Sequence, residues 1–227
     1  MGIMTTFKAR KATGRLAKGD VQGAMQLFKE AVDEGLTDVR SILSYSVLLI
    51  RAEKYQEARE LLVKGQKYLM SDDQRRQLFV NYASCVYKMG EIEKGIELLE
   101  RQHEKQPSGN IYQTLGYLYV EAGDAEKALN YNLEAYEYDD EDSITLDNLG
   151  QTYYRLLNDK EKAKEYFEKA IAVKPNQIDT LYFLAQYDIE AGDKEAAREK
   201  LELALKGNFS PLNYVTREQV KGIVDSL

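Results

Sequence analysis

Apolar side chains recur along this chain at the spacing of amphipathic helices. The stretch GYLYVEAGDAEKAL, residues 116–129, has helical character on both sides of a polar Gly-Asp pair. Glycine inside a helix costs about 1 kcal/mol relative to alanine, so the pair is expected to lie between two helices. Glycine can adopt the left-handed conformation that ends one helix, and aspartate can cap the next. The stretch therefore predicts a helix–turn–helix unit.

The same phrase returns at regular intervals along the chain. Its turn positions are separated by 34, 37, 33, 35 and 34 residues, and they are Gly19, Glu53, Gly90, Gly123, Asn158 and Gly192. A period in this range predicts stacked helical pairs. Asparagine tolerates the left-handed conformation that glycine adopts. The turn at Glu53 has no glycine, so it is expected to be tighter or more strained than the others.

Proline and small residues support the same register. Pro107, Pro175 and Pro211 all fall near the ends of repeat units and outside the predicted helices, because proline interrupts a helix interior. Small residues recur where helices must approach closely, Gly116 and Gly150 among them. After the last proline, residues 212–227 show the apolar spacing of an amphipathic helix that could cover the final repeat.

This pattern resembles the tetratricopeptide repeat family over essentially the whole chain. Residues 109–177 match best: they carry the family's Leu-Gly pair, the tyrosine three residues later, the alanines and aromatic of the second helix, and a closing proline. The resemblance implies an all-α fold, an α-α superhelix (a right-handed solenoid) of about six helix-turn-helix repeats with a C-terminal capping helix. The repeats are assigned to residues 5–38, 39–75, 76–108, 109–142, 143–177 and 178–211, and the cap to 212–227. Because each repeat buries its apolar face against its neighbours, residues 1–227 are expected to form a single domain.

Composition limits the partners that the chain can bind. The chain has 227 residues and a net charge of −7, so it is expected to avoid nucleic acid and anionic membrane surfaces. Its longest apolar run, residues 42–50, is far shorter than the roughly 20 residues of a membrane span. The N-terminus does not look like a secretory signal. We therefore expect a cytoplasmic protein, with the basic stretch 8–18 as a local exception to its acidity.

The sequence offers little for catalysis or metal binding. It has one cysteine, Cys85, and one histidine, His103, which exclude an internal disulfide framework and a thiolate–imidazole metal cage. Cys85 is predicted to be a buried thiol and His103 an exposed, nonfunctional side chain. The stretch GRLAKGD, residues 14–20, lacks the Gly-Lys-Ser/Thr ending of a phosphate loop. We expect no enzyme activity, no cofactor and no metal.

The resemblance also implies a binding surface, because the first helix of each repeat lines the concave side in that family. The residues that it projects into the groove are Asn81, Gln113, Tyr117, Asn148, Gln151, Tyr154, Arg155, Tyr182, Phe183 and Gln186. Asn81 and Asn148 stand where family members often hold a peptide backbone with an asparagine amide. The aromatic residues would provide contact area, although aromatic residues at helical spacing also suit core packing. The lysine of the family's carboxylate clamp is missing, which disfavours a receptor for chaperone C-terminal tails.

These features predict a non-enzymatic scaffold that binds a partner protein or peptide in its concave groove. The alternative is a sensor that binds a short signalling peptide or a small molecule and changes the curvature of the superhelix. Self-association and binding through the convex face both remain open.

Overall fold

The computed structural model describes the backbone of residues 2–227 and the side chains of residues 4–227. This part of the chain is helical and contains no strand, so the all-α fold class is confirmed. The helices are α1 Gly2–Leu16, α2 Val21–Asp33, α3 Val39–Arg51, α4 Tyr55–Gly65, α5 Asp72–Lys88, α6 Ile92–Lys105, α7 Gly109–Ala122, α8 Ala125–Tyr138, α9 Ser143–Gln151 with a π-helical continuation Thr152–Leu156, α10 Lys160–Val173, α11 Ile178–Ala191, α12 Lys194–Leu205 and α13 Arg217–Ser226.

The chain divides into two compact units, Met1–Gln102 (unit 1) and His103–Leu227 (unit 2). Repeat starts predicted at 39, 109, 143 and 178 coincide with the first residues of α3, α7, α9 and α11. The third repeat differs, because α5 begins at Asp72 with a Ser71 capping box. The organisation of the whole chain as a single domain stays a prediction.

Each unit has a core of apolar side chains from successive helices. In unit 1, Phe28, Ile42 and Leu62 are fully buried. In unit 2, Phe167 and Phe183 stack with their ring centroids 4.9 Å apart. Gly150 on α9 faces this pair so closely that a Cβ there would lie 2.4 Å from Phe167 Cε1. The small residue therefore permits the close approach of α9 and α10, as the sequence predicted.

The turns between paired helices adopt the predicted conformations. Positive φ values of 80°, 82°, 78° and 81° occur in order at Gly19, Gly90, Gly123 and Gly192, and Asn158 has φ 53°. After four of the turns, an aspartate side chain accepts a hydrogen bond from the third backbone N–H of the next helix; these are Asp20, Asp124, Asp159 and Asp193. Glu53 has φ 58°, and Lys54 after it makes no side-chain cap. The second turn therefore places a glutamate in the left-handed conformation that glycine adopts at the equivalent turns, and its greater strain stays a prediction.

A π-helical segment accommodates the additional residue that the fifth repeat has before its turn. Asn158 stands eight positions after Gly150, whereas Gly123 stands seven positions after Gly116. The structure absorbs the difference at Thr152–Leu156, where the Leu157 N–H donates to the Thr152 oxygen at 3.1 Å. Such π bulges accommodate an inserted residue within an α-helix.

The C-terminal helix is shorter than predicted. It begins at Arg217 rather than at 212, because Thr216 and Gln219 form a capping box that fixes its first turn. Val220 and Val224 are buried in a core cluster that also contains Ala197 and Leu201 of α12, so α13 covers the last repeat as expected. Residues 206–216 connect α12 to α13 without forming an α-helix.

Candidate functional site: the first-helix face of unit 2

Asn81 is buried in unit 1, which corrects the expectation of an exposed groove residue. Its side chain is 5% exposed. The amide Nδ2 donates to Ser46 Oγ on α3 at 2.9 Å, while Oδ1 accepts from Gln77 Nε2 at 2.7 Å. Both ends of the amide are therefore used, the nitrogen to join α5 to α3 of the preceding repeat and the oxygen within α5.

Asn148 plays the same part in unit 2. It is 1% exposed, and its Nδ2 donates to the backbone oxygen of Gln113 on α7 at 3.0 Å. In each case, the asparagine reaches a residue 35 positions earlier in the chain. The amide that was expected to bond to a peptide backbone instead bonds to the backbone of the preceding repeat.

Gln151 and Phe183 are also interior residues. The Gln151 amide donates from Nε2 to Asp147 Oδ2 at 2.7 Å and accepts at Oε1 from Arg155 at 2.8 Å. Phe183 is stacked on Phe167 and is 1% exposed. The sequence could not distinguish these positions from exposed ones, because polar and aromatic residues at helical spacing suit either a core or a surface.

Six of the predicted residues are partly exposed, and all six lie on first helices of unit 2 or on the π-helical segment. We call this set the unit 2 face; it comprises Gln113, Tyr117, Tyr154, Arg155, Tyr182 and Gln186. The buried Phe183 contacts two tyrosines of this face: its ring centroid lies 5.1 Å from that of Tyr154 and 5.3 Å from that of Tyr182. The face therefore has tyrosine rings resting on a buried phenylalanine.

Arg155 supplies positive charge at this face. Its guanidinium donates to Glu121 Oε1 of α7 at 2.6 Å, and the two side chains are 20% and 15% exposed. The guanidinium carbon also lies 4.2 Å from the ring centroid of Tyr214. Arg155 thus links α7 to the π-helical segment and to the chain beyond α12.

Two buried carboxyl groups lie beside the face. Asp147 accepts from Thr180 Oγ1 at 2.5 Å, and Asp179 accepts from Asn213 Nδ2 at 3.0 Å. Burial raises the pKa of both carboxyl groups; for Asp179, burial together with the charge of Asp147 raises the pKa to about 7. Two carboxyl groups that are close together and buried away from water resist ionising at the same time. The surroundings of Asp147 and Asp179 therefore favour hydrogen-bond donors and disfavour a further negative charge.

Tyr214 contributes to this surface, although it is not among the groove residues predicted from the sequence. The signal was available: Asn213 stands 34 residues after Asp179, so the repeat period continues past Pro211. The connection 206–216 was instead assigned in part to the capping helix.

His103 corrects another expectation. It is not fully exposed, because its side chain is 17% exposed and packs edge-on against Tyr112. Its Nδ1 lies 3.1 Å from the Tyr131 hydroxyl and its Nε2 3.2 Å from Glu134 Oε1. The histidine is therefore part of an aromatic and hydrogen-bonded cluster in unit 2.

Cys85 is fully buried, as predicted, and burial raises the pKa of its thiol to about 12. The described residues contain no group of three or more His, Cys, Asp or Glu side chains that could hold a metal ion. None of the helices found among them is both long and apolar enough to cross a membrane.

Comparison with known proteins places this fold among tetratricopeptide proteins. A profile described as "Tetratrico peptide repeat" matches residues 51–136, and one described as "Tetratricopeptide repeat" matches residues 145–177. The chain is 24% identical over 163 residues to the TPR repeat-containing protein MJ1428 of Methanocaldococcus jannaschii, covering 71% of this chain and 28% of that protein. Across the matched curated relatives, the chain spans between 28% and 54% of their length.

Two solved structures show the same fold at low sequence identity. The crystal structure of TTC0263, a thermophilic TPR protein of Thermus thermophilus, aligns with a TM-score of 0.67 and 18% identity, covering 83% of this chain and 97% of that one. The structure of YrrB, titled a TPR protein with an unusual peptide-binding site, aligns with a TM-score of 0.52 and 19% identity, covering 77% and 88% of the two chains.

Proposed function

Since this chain belongs to the tetratricopeptide repeat family, we propose that it is a non-enzymatic scaffold that binds a segment of another protein on the unit 2 face. The tetratricopeptide fold in general serves protein–protein interaction. The observation that carries the finer proposal is that Tyr154 and Tyr182 both lie against Phe183 and are partly exposed, as are Tyr117 and Arg155 on the same set of first helices.

The chemistry of this face suits a peptide. Tyrosine and arginine are the residue types that most often dominate binding energy at protein interfaces, because they combine contact area with hydrogen bonding. Tyr154 and Tyr182 lie against the buried Phe183, which limits the rotamer freedom that they would lose on binding. Pre-organised aromatic side chains bind a partner at a lower entropic cost than mobile ones.

The net charge of the chain limits the classes of ligand further. The chain carries a net charge of −7, so neither nucleic acid nor an anionic membrane is the expected ligand. YrrB, which shares the fold, carries a peptide-binding site according to its title, and a peptide is the ligand that we propose here. We likewise propose that the protein acts without turnover and in the cytoplasm.

Affinity capture from a lysate of the native organism tests this proposal. The wild type is compared with Tyr117→Ala/Gln186→Ala, which alters two outer positions of the face. Tyr138→Ala/Asn130→Ala removes similar residue types, a tyrosine and a side-chain amide, from exposed positions on α8 and is the matched control. All three proteins are first compared for helicity by circular dichroism.

We expect a protein that the wild type and the α8 control retain and that the face variant loses. Cross-linking followed by mass spectrometry then locates the bound segment. Equal capture by all three folded proteins would overturn the assignment of the unit 2 face and move attention to the other surfaces.

A further inference from the structure

The connection between α12 and α13 lies against the unit 2 face in the manner of a bound peptide. Asp179 on α11 accepts three hydrogen bonds from it: the Asn213 side-chain amide at 3.0 Å, the Tyr214 N–H at 3.1 Å and the Val215 N–H at 3.4 Å. Backbone N–H groups and a side-chain amide are the donors that any extended peptide can present. Asp179 is 8% exposed, so the connection itself supplies the donors that this buried carboxyl group requires.

The Tyr214 ring covers the aromatic part of the face. It stacks on Phe183 with centroids 5.1 Å apart and an interplanar angle of 25°, and it lies 6.0 Å from Tyr182. The Arg155 guanidinium lies over the ring at 4.2 Å. Tyr214 remains 39% exposed, so it is a surface cover and not a core residue.

The connection forms its own turn and does not depend on Tyr214 for its shape. The Ser210 N–H donates to Asn213 Oδ1 at 2.8 Å, and the Asn213 N–H donates back to the Ser210 oxygen at 2.9 Å. On the other side, Val215 is 4% exposed and anchors the start of α13. Tyr214 therefore lies between two anchored residues, and its ring can leave the face without unfolding the cap, whereas release of the Asn213 amide also breaks the hydrogen bond that it accepts from the Ser210 N–H.

We infer that Asn213 and Tyr214 are an internal ligand of the unit 2 face, and that a partner segment with the same pairing of a side-chain amide and an aromatic ring displaces them. The inference rests on the proposed function and specifies the partner: an extended segment whose aromatic ring takes the place of Tyr214 and whose side-chain amide takes the place of Asn213 as a donor to Asp179.

The internal ligand has a direct consequence for affinity. A site that its own chain occupies most of the time binds an external ligand more weakly, in proportion to the fraction of time that it is vacant. Removing the internal side chains should therefore strengthen binding of an external copy of the same segment.

A fluorescein-labelled peptide with the sequence of residues 208–216, NFSPLNYVT, is the probe. Fluorescence anisotropy measures its binding to the full-length wild type and to full-length Asn213→Ala/Tyr214→Ala, which retains Val215 and α13. The control peptide carries alanine in place of both Asn213 and Tyr214. We expect the variant to bind the probe at least tenfold more tightly than the wild type does, and neither protein to bind the control peptide. Adding Arg155→Ala to the variant should abolish the gain.

Failure of the variant to bind the probe, or equal binding of both peptides, would overturn the inference. Circular dichroism and amide hydrogen exchange of α13 confirm that the variant is folded; if it is not, Tyr214→Ala alone replaces it. Light scattering distinguishes a second copy as the source of the segment: a wild-type dimer that the probe dissociates would contradict an intramolecular ligand. The peptide assay uses no cellular partner, so it can fail while lysate capture succeeds, and the reverse.

Discussion

The Asn148 side-chain nitrogen lies 3.0 Å from the backbone oxygen of Gln113 and donates a hydrogen bond that joins α9 to α7. The family resemblance assigned Asn148 to ligand binding, whereas the described structure uses its amide within the repeat stack. A polar residue on a first helix can either bind a ligand or join neighbouring repeats. The two roles are distinguished by whether replacing the residue lowers the free energy of unfolding.

Asn148→Ala should lower the free energy of unfolding by about 1–3 kcal/mol, because the buried amide and its hydrogen bond to the Gln113 oxygen of the preceding repeat are lost. Urea denaturation followed by circular dichroism measures the change. Asn130→Ala is the matched control, since Asn130 is exposed on α8 and its loss should change stability by less than about 0.5 kcal/mol. A folded Asn148→Ala protein of wild-type stability would contradict the structural role.

Gly150→Ala should destabilise the protein by about 1–3 kcal/mol, because overpacking forces neighbouring side chains to move. The added Cβ would lie 2.4 Å from the Phe167 ring, and that ring is fully buried and stacked on Phe183. Gly222→Ala in α13 is the control: a Cβ there meets nothing within 4 Å, so the replacement should stabilise the helix by about 0.5–1 kcal/mol. Thermal unfolding of both variants checks the opposite signs.

Glu53→Gly should stabilise the protein by about 1 kcal/mol, because glycine removes the left-handed strain of an L-residue at positive φ. Glu53 has φ 58°. Glu60→Gly, at an exposed position inside α4, should instead destabilise by about 1 kcal/mol. The two variants lose the same charge, so a difference in their denaturation midpoints isolates the backbone effect. Equal midpoints would show that the turn at Glu53 stores no strain.

Stability should depend on pH through Asp179. Burial and the Asp147 charge raise the pKa of Asp179 to about 7 in the folded protein, whereas an unfolded aspartate titrates near pH 3.9. Between these values the folded state holds a proton that the unfolded state has lost, so this group's contribution to stability falls as pH rises from about 4 to about 7 and is then constant. Urea denaturation across this range should show the fall in the wild type.

Asp179→Asn removes that titration and keeps an acceptor oxygen for the connection to α13. The difference in unfolding free energy between wild type and variant should therefore shift in the variant's favour from pH 4 to pH 7. Groups that do not interact with Asp179 are common to both proteins and cancel in the difference; Asp147 does interact with it, and loss of that repulsion in the variant acts in the same direction. A difference that is independent of pH would contradict the raised pKa of Asp179.

The regular turns were predictable from the sequence because their chemistry is local. Gly123 and Asn158 adopt positive φ, and Asp124 and Asp159 cap the helices that follow, as their positions in the repeat indicated. The additional residue of the fifth repeat was visible in its spacing. Its accommodation by a π-helical segment was not predicted, because an added residue can also lengthen a turn.

The candidate site was less predictable, because exposure depends on what packs against each helix. Asn148 and Gln186 both stand on first helices at projected groove positions, yet Asn148 is buried and Gln186 is partly exposed. Similarly, Phe183 is covered by Tyr214, which lies outside the six assigned repeats.

The sequence by itself determined the repeat period, the helical pairs, the caps and the small residues at close approaches, because each follows from interactions within a few residues or from the repeat itself. Only the tertiary structure decided which polar side chains join neighbouring repeats and which reach the surface. It also decided that residues 213–215 satisfy Asp179 and place Tyr214 on Phe183. Those outcomes depend on contacts between residues about 30 positions apart, whose geometry exists only after the helices have packed.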